Sequence, residues 1–214
     1  MRALIVLGGD APGEGLLRQR ARESDLVIAA DSGLAAFDAA GLTPDLLVGD
    51  MDSVDPAVLS RYAGRVPEHR LSPIKDDTDG VDALDVAVAC GAKEITLLGA
   101  LGGRLDHALA NVMLLVRAQR KGAHAEIVTQ KERIVRVCGE ERLTGAKGDT
   151  VSLLPLGEAR GVTLSGFFYP LDEATLTSDY PLGVSNVVTR DEASVRVREG
   201  DLILFHHFDG RAGA

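Results

Sequence analysis

The sequence predicts an α/β protein of two domains: a parallel sheet covered by helices on both faces, then an antiparallel β-sandwich. Three observations predict it. Apolar runs of strand length alternate with helical patterns as far as residue 129, and such alternation means parallel strands joined by helical crossovers. Beyond about residue 130 the segments become short, β-rich and separated by Gly, Pro and Asp, as in a sandwich or barrel. The 214 residues suffice for one large domain or two modest ones. The expected division is a Rossmann-like α/β domain over 1–129 and a β-sandwich domain over 132–210.

Residues 3–7 form a short apolar strand that stops at Gly8-Gly9-Asp10. Residues 16–22 are helical in pattern, and 25–30 are a buried strand ending at Asp31-Ser32-Gly33. A short helix then stops at Gly41, and 46–48 lead straight into Gly49-Asp50. Residues 79–90 form a helix with apolar Val81, Leu84, Val86 and Val88, closed by Gly91. Strand 94–98 runs into a glycine loop at 99–103, helix 105–121 is closed by Gly122, and 125–129 is one more strand. In the second domain the expected strands are 133–138, 150–154, 161–164, 187–189, 194–197 and 202–205.

Aspartate placement points to chemistry. Between positions 31 and 106 there are twelve Asp and two Glu, with tight groups at Gly49-Asp50-Met51-Asp52-Ser53 and Lys75-Asp76-Asp77-Thr78-Asp79. A surface acidified for solubility more often uses Glu, which suits helices better. Asp after short strands suits hard-metal ligation, because Mg²⁺ takes oxygen ligands and reaches a phosphate through one or two carboxylates. A lone Asp there is as readily an Asx-turn or a helix N-cap. Yet Asp10, Asp31, Asp50, Asp52 and the 99–103 loop all follow predicted strands. Open α/β sheets bind ligands beyond those carboxyl ends.

The second signal is Gly99-Ala100-Leu101-Gly102-Gly103-Arg104-Leu105-Asp106-His107. Glycines between strand and helix let backbone N–H groups approach a phosphate, and the helix N-terminus favours its charge. Arg104 adds a planar fork. The spacing is neither a Walker A loop nor the dinucleotide pattern. Carboxylate and phosphate oxygens ~4 Å apart repel by ~4 kcal/mol at a protein surface. A site with both elements therefore calls for cations, and Mg²⁺ fits best. Phosphoryl-type transfer then rests on positioning and charge neutralisation, with one Asp orienting or deprotonating an attacking hydroxyl.

Composition excludes other classes. A formal charge of −9, from 32 acidic and 23 basic residues, argues against a nucleic-acid binder. The basic cluster at 117–121 reads as a solvated helix face. No run approaches the ~18 apolar residues of a membrane span, and the N-terminal apolar run is too short for a signal segment. Cys90 and Cys138 have no metal-like spacing and read as buried thiols of a cytoplasmic protein. His206 and His207 point to opposite faces of a strand and read as structural.

The ordered set Ala30-Asp31-Ser32-Gly33, Gly49 to Ser53, Lys75 to Asp79, and Gly102 to His107 with Asn111 resembles the thiamine pyrophosphokinases. So do Gly166-Phe167-Phe168-Tyr169-Pro170-Leu171 and Gly183-Val184-Ser185-Asn186 in the second half. The resemblance implies transfer of a pyrophosphoryl group from ATP to the hydroxyl of thiamine, giving thiamine diphosphate and AMP. It implies that Asp50, Asp52 and Asp79 are the catalytic and metal carboxylates. Asp31, Ser32, Asp76 and Thr78 would serve the ATP site, with Gly102, Gly103, Arg104, Asp106, His107 and Asn111 from the glycine loop and the helix after it. Tyr169, Ser185 and Asn186 would be thiamine contacts, and the C-terminal domain would form a homodimer and complete the thiamine pocket across its interface. Met51 stands where the family often has Phe, and Tyr169 where some members have Trp; this chain has no Trp. A ring there can stack on a cationic thiazolium. The same carboxylates would also serve a pyrophosphokinase of a pterin-type or other heterocyclic alcohol, or a metal-dependent phosphohydrolase; a non-catalytic nucleotide or thiamine diphosphate sensor is the alternative from another class, and it would call for lost carboxylates or an added effector domain.

Overall fold

The first apolar run becomes β1 (Arg2–Val6), whose last four residues are buried because neighbouring strands flank it on both sides. The computed structural model describes residues 1–70 and 78–208. The chain continues through α1 (Glu14–Glu23), β2 (Leu26–Ala30), a 3-10 turn (Asp31–Gly33), α2 (Leu34–Ala40), β3 (Leu46–Gly49), α3 (Pro56–Tyr62) and β4 (Glu68–Arg70). After these come α4 (Asp79–Ala89), β5 (Glu94–Leu98), α5 (Leu105–Arg120) and β6 (His124–Val128). The strands lie in the order β4-β3-β2-β1-β5-β6, and every pair is parallel. The order reverses beside β1. The chain builds outward through β2, β3 and β4, then returns to β5 on β1's other edge. Such a switch point opens a crevice at the strands' carboxyl ends.

Local chemistry sets the helix ends that face this crevice. Thr78 caps α4, its hydroxyl accepting from the Val81 N–H at 3.4 Å, and Asp79 and Asp82 lie in the first turn against the positive end of the dipole. Asp55 caps α3 through the Ala57 N–H at 2.7 Å with Pro56 just inside. The expected elements omit α3 and β4, although Asp55-Pro56 is a legible helix start. The 117–121 cluster is part of an ion-pair network: Arg117 and Lys121 both reach Asp85 on α4, at 2.6 and 2.9 Å. Those bonds, that of Arg117 foremost, hold the Asp85 carboxyl below its usual value despite partial burial. Among the described residues no helix is long and apolar enough to cross a membrane.

The second compact unit begins at Lys131. It holds β7 (Glu132–Arg136), β8 (Glu140–Thr144), β9 (Thr150–Ser165), β10 (Leu171–Thr177), β11 (Asn186–Val187), β12 (Glu192–Arg196) and β13 (Glu199–His207). All their pairings are antiparallel. The expected strands 150–154 and 161–164 are one element here. The first part of β9 pairs with β13 and β11, and its last part with β10 and β12, so one strand serves both sheets. Gly157 and Gly161, at φ 87° and 65°, let the chain turn this corner without a break. Val135, Val151, Leu153, Val162, Leu164, Val195, Leu202 and Leu204 fill the space between the layers.

His206 is buried, its Nε2 lying 2.9 Å from Asp149 Oδ2, while His207 Nδ1 lies 3.2 Å from Glu132. Both are structural, as expected. Asp149→Ala is expected to destabilise this unit by about 1–3 kcal/mol, because it leaves the buried imidazole without its partner; chemical denaturation measures it. The cysteines correct an expectation. Neither Cys90 nor Cys138 is in a disulfide, but both are exposed, at the end of α4 and after β7. Both thiols fall where a regular element has already ended.

Candidate active site

Two loops at the switch point are zipped together by backbone bonds. Leu7 N–H donates to Leu98 O at 2.8 Å, Gly9 N–H to Gly99 O at 2.8 Å, and Asp10 N–H to Leu101 O at 2.6 Å. Gly99 has φ +63°, and a Cβ there would lie 2.3 Å from the Leu7 carbonyl oxygen. This approach aligns the glycine loop with the N-terminus of α5. Asn111, one side of α5, donates to the Ala100 carbonyl at 2.8 Å and fixes the loop from below. The resulting cleft has a volume of about 410 Å³, and Gly8, Gly9, Asp31, Ser32, Ser53, Thr78, Asp79, Gly102, Gly103, Arg104, His107 and Asn111 are among its walls.

Carboxylates converge at one end. Asp31, Asp50 and Asp52 each place an oxygen within 4.8 Å of the others. Two turns of unusual backbone bring them there. Asp31 has φ 46° and Met51 has φ 66°, the left-handed region that Asp tolerates and Met rarely adopts. Met51 holds its strained turn by burying its side chain in the core beneath, and strain of this kind gathers at functional sites. Asp50 Oδ1 accepts from the Asp52 N–H at 3.2 Å, and Ser53 Oγ donates to Asp52 at 3.0 Å. Gly49 admits Asp31 from the side, since a Cβ there would lie 3.2 Å from the Asp31 Cβ.

Asp31 is the buried member, 7% exposed, and its Oδ1 has no hydrogen-bond partner among the described residues. Burial pushes its carboxyl above the usual value, the Ser53 hydroxyl and Ser32 N–H oppose this, and the charges of Asp79 and Asp50 add to it. Two carboxylates this close repel by roughly 3–4 kcal/mol near a protein surface. A divalent cation among the three would reverse the sign of that interaction and ligate the orphaned oxygen. The oxygen-only donor set fits such an ion.

The structure sorts the expected residues into two groups. Asp31, Ser32, Asp50, Asp52, Thr78, Asp79, Gly102, Gly103, Arg104, His107 and Asn111 gather at this crevice of the first unit. Asp79 lines the cleft but is outside the three-carboxylate cluster, where Asp31 stands instead. Asp76 lies outside the described residues. Asp106 grips Arg104 through two bonds of 3.1 and 2.6 Å, and both side chains are exposed. Sequence reasoning missed Gly8, Gly9 and Ser53 as walls; the stop at Gly8-Gly9 after β1 was the available signal. Tyr169, Ser185 and Asn186 gather in the second unit. Ser185 has φ 60°, and the Asn186 amide bonds both backbone groups of Tyr169.

The Arg104 bonds hold the Asp106 carboxyl down at about 2, with the His107 N–H assisting against slight desolvation. A depressed folded value means that the pair is intact above the ordinary 3.8 and is lost as pH falls through about 2. Arg104→Gln is expected to return the Asp106 titration toward 3.8, read by carboxyl ¹³C NMR.

Residues 17–127 match the family described as "Thiamin pyrophosphokinase, catalytic domain", and 133–202 match "Thiamin pyrophosphokinase, vitamin B1 binding domain". The chain is 29% identical over 191 residues to the thiamine pyrophosphokinase of Bacillus subtilis (strain 168), covering 87% of this chain and 89% of that protein. It is 28% identical over 179 residues to thiamine pyrophosphokinase 1 of Oryza sativa subsp. japonica, covering 75% of this chain and 64% of that one. The crystal structure of the Bacillus subtilis enzyme superposes with TM-score 0.85 at 25% identity, over 98% of this chain and 100% of that one. The Geobacillus thermodenitrificans thiamin pyrophosphokinase superposes with TM-score 0.83 at 27% identity, over the whole of both chains.

Proposed function

The chain belongs to the thiamin pyrophosphokinase family, and from that premise we infer that it transfers the pyrophosphoryl group of ATP to the hydroxyl of thiamine, giving thiamine diphosphate and AMP. The observation that carries this reading is the convergence, in one cleft, of a carboxylate cluster with a buried oxygen unpartnered among the described residues and a glycine loop at a helix N-terminus.

In this reading Asp31, Asp50 and Asp52 hold Mg²⁺, with Asp79 at the start of α4 facing the same space. The bound ion would neutralise the phosphate oxygens and position the donor for in-line attack. The chain's own groups do the rest. The backbone of Gly102 and Gly103 and the first turn of α5 receive phosphate. The Arg104 fork exchanges its partner Asp106 for a phosphate oxygen. Asp50, Asp52 or Asp79 orients the attacking hydroxyl and accepts its proton. Ser32, Thr78, His107 and Asn111 complete the ATP site, and Tyr169 and Ser185 meet thiamine.

A homodimer through the C-terminal unit belongs to the same proposal. Phe168, Tyr169, Tyr180, Leu182, Val184 and Val187 are all exposed on adjoining segments of that unit, an apolar display that isolated soluble chains seldom keep. We place the protein in the cytoplasm, in keeping with two exposed cysteines that form no disulfide.

The deciding experiment incubates the protein with thiamine, ATP and Mg²⁺ and separates the products by chromatography. Equal amounts of thiamine diphosphate and AMP are expected. ADP with thiamine monophosphate would make it an ordinary kinase, and AMP formed only with another heterocyclic alcohol would move the acceptor. EDTA is expected to stop turnover and excess Mg²⁺ to restore it.

A further inference from the structure

Asn186 is 7% exposed, and its amide is almost fully engaged. Oδ1 accepts from the Tyr169 N–H at 3.0 Å and from the Val187 N–H at 2.9 Å, while Nδ2 donates to the Tyr169 carbonyl at 2.7 Å. One side chain thus holds both backbone polar groups of Tyr169, as a neighbouring strand would.

The surroundings show why that matters. Upstream, the loop is laced to the β11 edge by ordinary backbone bonds. Thr189 N–H donates to Gly166 O at 2.8 Å, and Phe168 N–H donates to Val187 O at 2.9 Å. The lacing ends there, because Pro170 has no N–H to continue it. Phe168 and Tyr169 nevertheless present their rings to solvent, 64% and 65% exposed, in an edge-to-face pair 4.8 Å apart at 85°. Burial holds neither ring, so the backbone must, and at Tyr169 the backbone is held by Asn186.

We propose that Asn186 is a positioning residue: without touching the ligand, it clamps the Tyr169 backbone so that the Phe168–Tyr169 pair stands preformed as an aromatic face for a cationic heterocycle. The identity of that heterocycle rests on the thiamine reading; the clamp does not. A preformed face spares binding the entropy of ordering two side chains and their loop, and aromatic faces attract cations. The role therefore belongs to thiamine affinity rather than to the chemical step.

Asn186→Asp keeps the size and the oxygen that accepts both N–H bonds but sets a second oxygen against the Tyr169 carbonyl. Asn186→Ser is too short to reach it and puts no charge inside. The chain has three tyrosines, so 3-fluorotyrosine labelling gives three ¹⁹F lines, and that of buried Tyr62 reports the fold of the first unit. Circular dichroism melting reports the second. In both variants the Tyr169 line is expected to shift or broaden while the Tyr62 line stays. KM for thiamine should rise about ten-fold, with KM for ATP and kcat changed less than about two-fold. A loss of folded protein alone would leave both KM values where they were, and would count against the proposal. An unmoved Tyr169 line in a folded variant overturns the clamp, whatever the substrate. Unchanged thiamine KM in an active variant overturns the positioning role. A wild type that makes no thiamine diphosphate overturns the functional reading instead, and the fluorine lines still decide the clamp. Should the Asp variant fail to fold, the Ser variant carries the test.

Discussion

Asp31→Asn is expected to lower kcat/KM by about 10²–10⁴-fold while leaving the metal-free fold as stable as the wild type, or more so. The two effects have one cause. Without a cation, Asp31 is a carboxylate buried beside two others, with one oxygen unpartnered among the described residues and its pKa raised by burial. An amide of the same shape removes the charge, and Asn accepts the left-handed backbone at φ 46°. Activity falls because a neutral oxygen is a poorer ligand. A residue whose removal costs function and spares stability is the signature of a site held against the fold's own preference. Asp52→Asn and Asp79→Asn should likewise nearly abolish turnover and leave the fold intact. Steady-state kinetics paired with calorimetric melting, with and without Mg²⁺, measures both sides. Near-normal turnover in the Asp31 or Asp52 variant would remove the metal assignment.

Gly99→Ala is expected to act in the other direction, through the fold. The new Cβ would lie 2.3 Å from the Leu7 carbonyl oxygen at a φ of +63°. The obstacle is backbone of the central strand's extension, which cannot swing aside as a side chain could. Strained backbone at about 1–3 kcal/mol and overpacking at about 1–3 kcal/mol give a loss of roughly 2–6 kcal/mol. That corresponds to a melting point lower by roughly 5–20 °C. Folded molecules that remain should bind ATP poorly, because the two zipped loops cannot both keep their places. Thermal melting and nucleotide titration check this; a melting point within a degree or two of wild type would show that the loops tolerate separation.

Most of the parallel sheet was legible because its inner strands are buried on both faces and read as apolar runs, as at Leu26–Ala30; β4, Glu-His-Arg in sequence, carries no such run and was missed. The antiparallel part was read less well. β8 and β10 were missed because each buries only one position, and β9 was split at glycines that bend a strand rather than end it. α3 escaped although its Asp55-Pro56 start was visible. The Asp50–Asp52 loop and the glycine loop follow β3 and β5 as expected, because each depends on residue types that chemistry restricts; residues 75–77 of the other Asp-rich group lie outside the described residues. Their relative distances were not legible, since these loops are far apart in the chain.

By itself, then, the sequence determined which residues carry charge, where the apolar strands and the longer helices lie, and which loops can approach a phosphate: local properties of side chain and backbone. Tertiary structure decided what those residues are to one another. It put Asp31 beside Asp50 and Asp52, with an oxygen that no other described residue satisfies. It gave Asn186 to the Tyr169 backbone. Both outcomes depend on strand order, register and left-handed turns, and these are settled by packing across the whole unit rather than by any neighbouring residues in the chain.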